Sequence, residues 1–310
     1  MLKSLARTLI PPRLRMATYE ARQTPLKRNI LQWCEDQLPD KRVQSEWYQQ
    51  AFGRPLNWEN PSTFSEKLHW LSLNLRLPVM TQCADKYAVR AFVKEQGSGH
   101  ILNDIYGVWE HPDTIPFDTL PERYILKVNH GSGQNMICSQ HISRTAAGMQ
   151  RQLEQWMQRS EYWESREWAY KDIPPKVICE KLFLDDQGNP PPDYKFICFN
   201  GEPHLIQVDT DRFTQHKRDL FDLQWNVLPF DIGFPTCGHR IPRPPGLDEM
   251  IDCAGRLSTA FTYVRVDFYA MGERVIFGEM TWYPGGGLER FMPEEYNARY
   301  GKTLVLPLKG

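Results

Sequence analysis

Two stretches of this chain carry side chains whose chemistry an ordinary core does not need. The first is Tyr124–Ser139, YILKVNHGSGQNMICS, an apolar strand pattern holding Lys127, then a loop with Gly131 and Gly133, then a second short apolar run. A glycine-rich loop lets backbone N–H groups close around an anion with no Cβ in the way. In the P-loop and the dinucleotide fold a helix opens directly after the glycines. Here Met136, Ile137 and Cys138 read as strand, the helical pattern starts only after Ser143, and no Gly-Lys-Ser/Thr is present. The pattern is that of a hairpin clamp with its lysine on the incoming strand. Ile125 and Lys127 share one strand face, and Leu126 and Val128 take the other. A lysine so placed either snorkels to the sheet edge or meets a fixed negative charge.

The second stretch is Tyr263–Gly287, YVRVDFYAMGERVIFGEMTWYPGGG. Asp267 and Glu279 are carboxylates inside apolar strand, where an unpaired charge is costly. Register decides whether they cooperate. A two-residue loop at Met271-Gly272 pairs Asp267 with Ile276 and sends Glu279 to the opposite face. A three-residue loop, Met271 to Glu273, pairs Asp267 with Phe277 and leaves Glu279 a diagonal step away, about 7–8 Å between Cα atoms. The expectation is the second, because Gly272 permits a bulged turn. Two hard oxygen ligands with a water-filled remainder suit Mg²⁺ held through a substrate's phosphates. Arg265 shares that face, to meet a phosphate or an acyl oxyanion; the plainer alternative is an ion pair between Arg265 and Glu279. A third cluster, Arg212, His216 and Arg218 in DRFTQHKRD, is either an anion-binding edge or a solvated charge run.

The elements that must position these groups are partly legible. Thr63-Phe-Ser-Glu66 is a capping box, and Leu68, Leu71 and Leu75 follow on one helical face until Pro78. Asp85 is expected to cap a second helix, DKYAVRAFVKEQG, buried through Val89, Phe92 and Val93 and ended by Gly97. On it Lys86 and Arg90 lie four apart, facing one anion or forming a solvated face. ILNDIYGVWE reads as a strand, Thr145 to Trp168 as one aromatic-studded helix, and VICEKLFLDD through LFDLQWNVLPF as a meander with a hairpin at Asn200-Gly201. Leu247 to Phe261 reads as a last amphipathic helix.

The composition is that of an ordinary globular protein with ample core: 310 residues, 37 Lys and Arg against 38 Asp and Glu. That balance excludes a general nucleic-acid binder. No apolar run reaches bilayer length, and the opening MLKSLARTLIPP lacks a secretory pattern. Seven cysteines without a CxxC pair read as reduced core thiols, so the expected location is cytoplasmic. Lys3, Arg7, Arg13, Arg15, Arg22, Lys27 and Arg28 make the first segment basic. It is either a solvated arm or a weak foothold on a partner or on the anionic inner face of a membrane.

These pieces in this order resemble an ATP-grasp protein. More narrowly, ADKYAVR, ILKVNHGSGQN, DYKFICFNGEP, VRVDFY and FGEMTWYPGGG resemble the TupA-like branch, named for teichuronopeptide synthesis, from about Asn60 onward. The resemblance implies an α+β ATP-grasp fold, two α+β subdomains with antiparallel sheets clamping ATP behind an N-terminal helical region. The corresponding division is 1–60, a basic extension; 61–118, a helical α-β region; and 119–310, the ATP-grasp domain, split into 119–175 with the glycine loop and 176–310 with the metal site.

By the same resemblance Lys127 contacts the α- and β-phosphates, Lys86 lines the cleft, and His130, Gly131, Ser132, Gly133, Gln134 and Asn135 fold over the β- and γ-phosphates. Glu180 takes the adenine amine or the ribose, with Lys181 and Leu182 at the hinge. Asp267 and Glu279 hold Mg²⁺; Thr281 stands where asparagine is usual, so one or two ions are implied. Arg265, Arg212 and Lys195 are the expected catalytic charges. His216, Arg218, Gly285 and Gly286 are expected on the acceptor. The implied activity is an ATP-dependent carboxylate–amine ligase using an acyl phosphate. It would join an amino acid or amine to a small-molecule or lipid-linked sugar acid of surface polysaccharide. Phosphoryl transfer to a sugar hydroxyl and a non-catalytic nucleotide-binding scaffold are the alternatives.

Overall fold

The structure is a computed structural model that describes residues 39–139, 144–184, 191–210 and 215–307. The basic arm therefore lies outside the described residues. The first described helix is α1, Asp40–Phe52. The capping box then forms as expected ahead of α2, Phe64–Asn74: Thr63 Oγ1 accepts from the Glu66 N–H, and Glu66 Oε2 accepts from Thr63 N at 3.0 Å. Pro78 does more than stop that helix. It occupies the first turn of a further one, α3, Pro78–Ala84, where its missing N–H costs nothing.

Asp85 does not cap a long helix. Its Oδ1 accepts from Tyr87 N at 2.8 Å and Ala88 N at 3.1 Å, closing a turn before the short α4, Val89–Glu95. Lys86 is thereby removed from the helical face of Arg90.

Strands β1 (Ile105–Trp109), β2 (Tyr124–Val128), β3 (Asn135–Cys138) and β4 (Val177–Lys181) form an antiparallel sheet in the order β1-β4-β2-β3. The sheet thus recruits one strand that precedes residue 119 and one that follows residue 175. Leu126, Met136, Val177 and Cys179 pack under α5 (Ala146–Met157) through Met149 and Leu153. The single helix expected over 145–168 is broken: α5 ends at Met157, and α6, Glu161–Ser165, ends on Arg166 in the left-handed region.

The larger antiparallel sheet has the order β10-β9-β5-β6-β7. Its strands are β5 (Asp193–Phe199), β6 (Glu202–Thr210), β7 (Lys217–Phe221), β9 (Tyr263–Met271) and β10 (Arg274–Thr281). The Asn200-Gly201 hairpin joins β5 to β6, with both residues at positive φ. A two-stranded sheet pairs β8 (Asp231–Ile232) with β11 (Phe291–Met292). Helix α7, Leu247–Ser258, and the α3–α4 segment pack on the face carrying Phe196, Val264, Val266 and Phe268. Helices α2 and α8 (Glu295–Thr303) cover the face carrying Ile197, Phe199, Leu205 and Tyr263. All seven residues of β5 are buried, Asp193 and Lys195 included. Their charges are set into a covered sheet, and such placement demands partners.

Candidate active site

The glycine hairpin rests on Asn129, which is fully buried. Its Nδ2 donates to Asp85 Oδ2 at 2.9 Å and to the Pro174 carbonyl at 3.0 Å, while its Oδ1 accepts from Lys176 N. His130 is buried as well, its Nε2 3.1 Å from the Arg159 carbonyl, and burial lowers its pKa. His130 therefore anchors the loop from behind. Gln134 is also buried, and a Cβ on Gly131 would collide with its side chain. The parts turned outward are Ser132, Gly133 and Asn135, with Ser132 N donating to Glu161 Oε2 at 3.0 Å.

Lys127 has found the fixed negative charge that its mid-strand position called for. Its Nζ lies 2.8 Å from Glu180 Oε2 on the paired strand β4. Burial works to raise the Glu180 carboxyl, but Lys127, followed by Arg90 and Asn103, overcomes it and holds the pKa below the usual range. Asn103 Nδ2 also donates to the Lys181 carbonyl at 3.0 Å, so the strand's end is pinned where Leu182 leaves the sheet half-buried. Lys181 Nζ points elsewhere, 3.7 Å from Asp104. Arg90 donates to the Asn103 carbonyl, so it shares no anion with Lys86.

The register of the second stretch differs from both expected alternatives. Met271 pairs with Arg274 across a two-residue turn, Gly272-Glu273, and a bulge after Phe277 then advances β10 by one residue. Asp267 consequently stands directly opposite Glu279, and Arg265 opposite Thr281. A bulge opposes two residues to one and bends its strand. Gly278 is the extra residue, and a Cβ there would lie 2.9 Å from the Asp267 carbonyl oxygen. The two carboxylates share a face, as required for a common cation, and sit closer than the diagonal expectation.

Arg265 grips Asp267 with two bonds of 2.7 Å, from Nε and Nη2, and reaches Glu279 Oε1 at 3.3 Å. The structure shows the plainer alternative for Arg265, an ion pair with Glu279, and adds Asp267 as its tighter partner. Lys195 Nζ donates to Asp267 Oδ2 at 2.9 Å and to Asp193. Burial works to raise the Asp267 carboxyl, but Arg265 and Lys195 together hold it below the usual range.

Among the described residues no three His, Cys, Asp or Glu side chains are grouped to hold a metal alone. The donor set of Asp267 and Glu279 fits a hard divalent cation that takes its remaining oxygens from a phosphate and water.

Lys86 joins the two halves. Its Nζ donates to the Gly131 carbonyl and lies 3.9 Å from Glu279 Oε2. The glycine loop and the carboxylate pair, far apart in sequence, therefore face one cleft.

Of the third cluster, the described residues His216 and Arg218 both meet the Asp209 carboxylate. Arg218 is buried, donating to Asp209 Oδ1 at 2.7 Å, Glu289 Oε1 at 2.8 Å and the Ile232 carbonyl. His216 Nε2 lies 3.3 Å from the same Asp209 carboxylate. Arg212 lies outside the described residues. Gly285 and Gly286 have φ of 58° and 65°, and a Cβ on Gly285 would strike Glu289. Arg218, through Glu289, thus braces the glycine turn after β10. Sequence reasoning passed over Glu161, Glu167 and His69, all of which border this region. In the sequence they belong to no recognisable motif, and only tertiary proximity marks them.

The family description TupA-like ATPgrasp matches residues 66–305. No curated protein matches the chain. Solved structures similar to it include D-alanine–D-alanine ligase from Bacillus anthracis (16% identity, 64% of this chain and 56% of that one, TM-score 0.40). Others are D-alanine–D-alanine ligase from Helicobacter pylori (12%, 79% and 70%, TM-score 0.43) and the ATP-grasp ligase PsnB complexed with minimal precursor, Mg and ADP (12%, 70% and 57%, TM-score 0.37). The chain spans less than two thirds of the length of the Bacillus anthracis ligase and of PsnB.

Proposed function

Because the chain belongs to the TupA-like ATP-grasp family, we propose that it is an ATP-dependent ligase joining a carboxylic acid to an amine through an acyl phosphate. The observation that carries this reading is Lys86, which touches the glycine loop and Glu279 at once and so makes them walls of one cleft. Lys127 and the exposed loop at Ser132 and Gly133 bind the phosphates; Glu180, with Lys181 and Leu182, takes the adenine or ribose edge. Asp267 and Glu279 hold one or two Mg²⁺ ions, with the Thr281 hydroxyl a weaker third ligand. Mg²⁺ there supplies positive charge against the phosphates.

Catalysis then consists of positioning and charge stabilisation. A substrate carboxylate oxygen attacks the γ-phosphorus and ADP leaves. Arg265, whose guanidinium spans Asp267 and Glu279, would face the acyl oxygen on which negative charge develops. Lys195 stays with Asp267 and keeps that carboxylate ionised. His216 and Arg218 orient the acceptor indirectly, through the glycine turn that includes Gly285 and Gly286. The acceptor class we favour is a sugar acid of surface polysaccharide, with an amino acid or amine as its partner.

Incubating the chain with ATP, Mg²⁺, candidate uronic acids and hydroxylamine tests this directly. Hydroxamate with stoichiometric ADP is the expected result. A phosphorylated sugar in place of hydroxamate would mean transfer to a hydroxyl, and ATP binding without ADP release would mean a scaffold.

A further inference from the structure

A small, open recess is lined from α1 and α2, the 165–167 turn and the glycine turn after β10. Three observations give its chemistry. Glu167 lines it half-buried and within electrostatic reach of Glu161, Arg265 and Glu279. Burial first, then the Glu161 and Glu279 charges, push this carboxyl up to about 8 against the pull of Arg265 and the Ser165 hydroxyl. Tyr170, Tyr283 and Arg166 are the other titratable neighbours, and both tyrosines are buried and neutral.

His69 is buried, and burial lowers its pKa to about 4, so its imidazole is neutral. Its Nδ1 faces Gln44 Oε1 at 3.3 Å. Its Nε2 has no hydrogen bond of normal geometry among the described residues and turns toward Gly287, where a Cβ would lie 3.2 Å away. Arg166, the one guanidinium in the lining, is bound to Asp40. A recess with a carboxylate, a neutral imidazole and hydroxyl oxygens, whose cation is already paired, suits an ammonium better than an anion.

We infer that this recess is the subsite for the amine co-substrate, held as its ammonium, and that Glu167 takes the proton that must leave before nitrogen can attack. The inference rests on the ligase reading above. An arriving ammonium favours the ionised carboxylate. Glu167 then accepts one proton, the nitrogen lone pair attacks the acyl carbon, the C–N bond forms and the C–O bond to phosphate breaks. The second ammonium proton leaves with inorganic phosphate, which gives the neutral amide. A base poised near the operating pH is the efficient one for this transfer.

Two measurements on the full chain test the subsite. With a uronic acid that yields hydroxamate, L-alanine and hydroxylamine are compared as nucleophiles near neutral pH, where alanine is an ammonium and hydroxylamine mostly is not. Glu167→Gln is expected to lower the ratio of amide to hydroxamate about 10²-fold, with Glu167→Asp recovering part of it. A parallel fall in both products, or no change in the ratio, overturns the proposal. Independently of any acid, methylammonium is expected to raise the melting temperature of the wild-type chain more than tetramethylammonium does, and Glu167→Gln to erase that difference. No difference in the wild-type chain also overturns it. Methylammonium stabilisation without hydroxamate from any acid would sink the ligase reading while leaving the cation subsite standing.

Discussion

Lys127 and Glu180 neutralise each other at 2.8 Å, and under the function proposed above each is expected to turn to ATP. Breaking a buried pair leaves the survivor uncompensated. Lys127 keeps a side-chain exposure of 21%, so the cost is less than for a sealed pair. Lys127→Ala is expected to lose about 2–3 kcal/mol in urea denaturation, along with ATP turnover measured as ADP release. His69 gives a pH dependence of defined sign. Its folded pKa, about 4, lies below the ordinary value of 6.5, so its contribution is whole above 6.5 and drains away as pH falls toward 4. Thermal melts should show the wild-type chain losing up to about 3 kcal/mol across that window, and His69→Gln losing less.

The β9–β10 hairpin depends on one glycine for its chemistry and another for its turn. At Gly278 the obstacle is backbone, the Asp267 carbonyl at 2.9 Å, so a methyl group there must undo the bulge. Without the bulge, Glu279 returns to the opposite face, because the side-chain period of a strand is two. Gly278→Ala should therefore abolish ADP release while costing only about 1–3 kcal/mol. Gly272 has φ of 61° with open space around it. Gly272→Ala should cost about 1–2 kcal/mol of backbone strain and keep its turnover. Equal activity in the two variants would refute the bulge as the feature that assembles the site. The glycine turn after β10 has a comparable dependence on Glu289 and buried Arg218.

Charged contacts join distant parts of the chain. Lys86 links the glycine loop to Glu279, while Asp40 on α1 gathers Arg76, Arg166 and the Tyr162 hydroxyl. The Asp40 cluster fastens the first described helix to the segment bearing Glu167, so the proposed amine recess has a braced wall. Lys86→Met should leave each sheet folded but loosen the loop over the cleft. Hydrogen exchange at residues 131–135 is the measurement: it should quicken in the variant, and a non-hydrolysable ATP analogue should restore less protection than in the wild-type chain. Unchanged exchange would mean that the loop is held by Asn129 and His130 alone. Among the described residues no helix is long and apolar enough to cross a membrane.

Much of the local structure was open to sequence reasoning because it rests on short-range physics. The capping box at Thr63, the alternation around Lys127 and the Asn200-Gly201 turn each depend on residues within a few positions. The residue types also led to the expectation of hard-oxygen and anion chemistry. Reasoning failed where a distant partner decided the outcome. Asp85 was drawn into the Asn129 network, which shortened the helix behind it. β1 and β4 joined the glycine hairpin by pairing across long stretches of chain. Arg218, one basic residue in a polar run, became a buried brace because Asp209 and Glu289 converge on it. By itself the sequence determined which charges this protein owns and which strands and turns display them, since those follow from local sterics and side-chain period. Only the tertiary structure decided which charges meet: a one-residue bulge at Gly278 set Asp267 against Glu279, and packing brought Lys86 to both the glycine loop and Glu279.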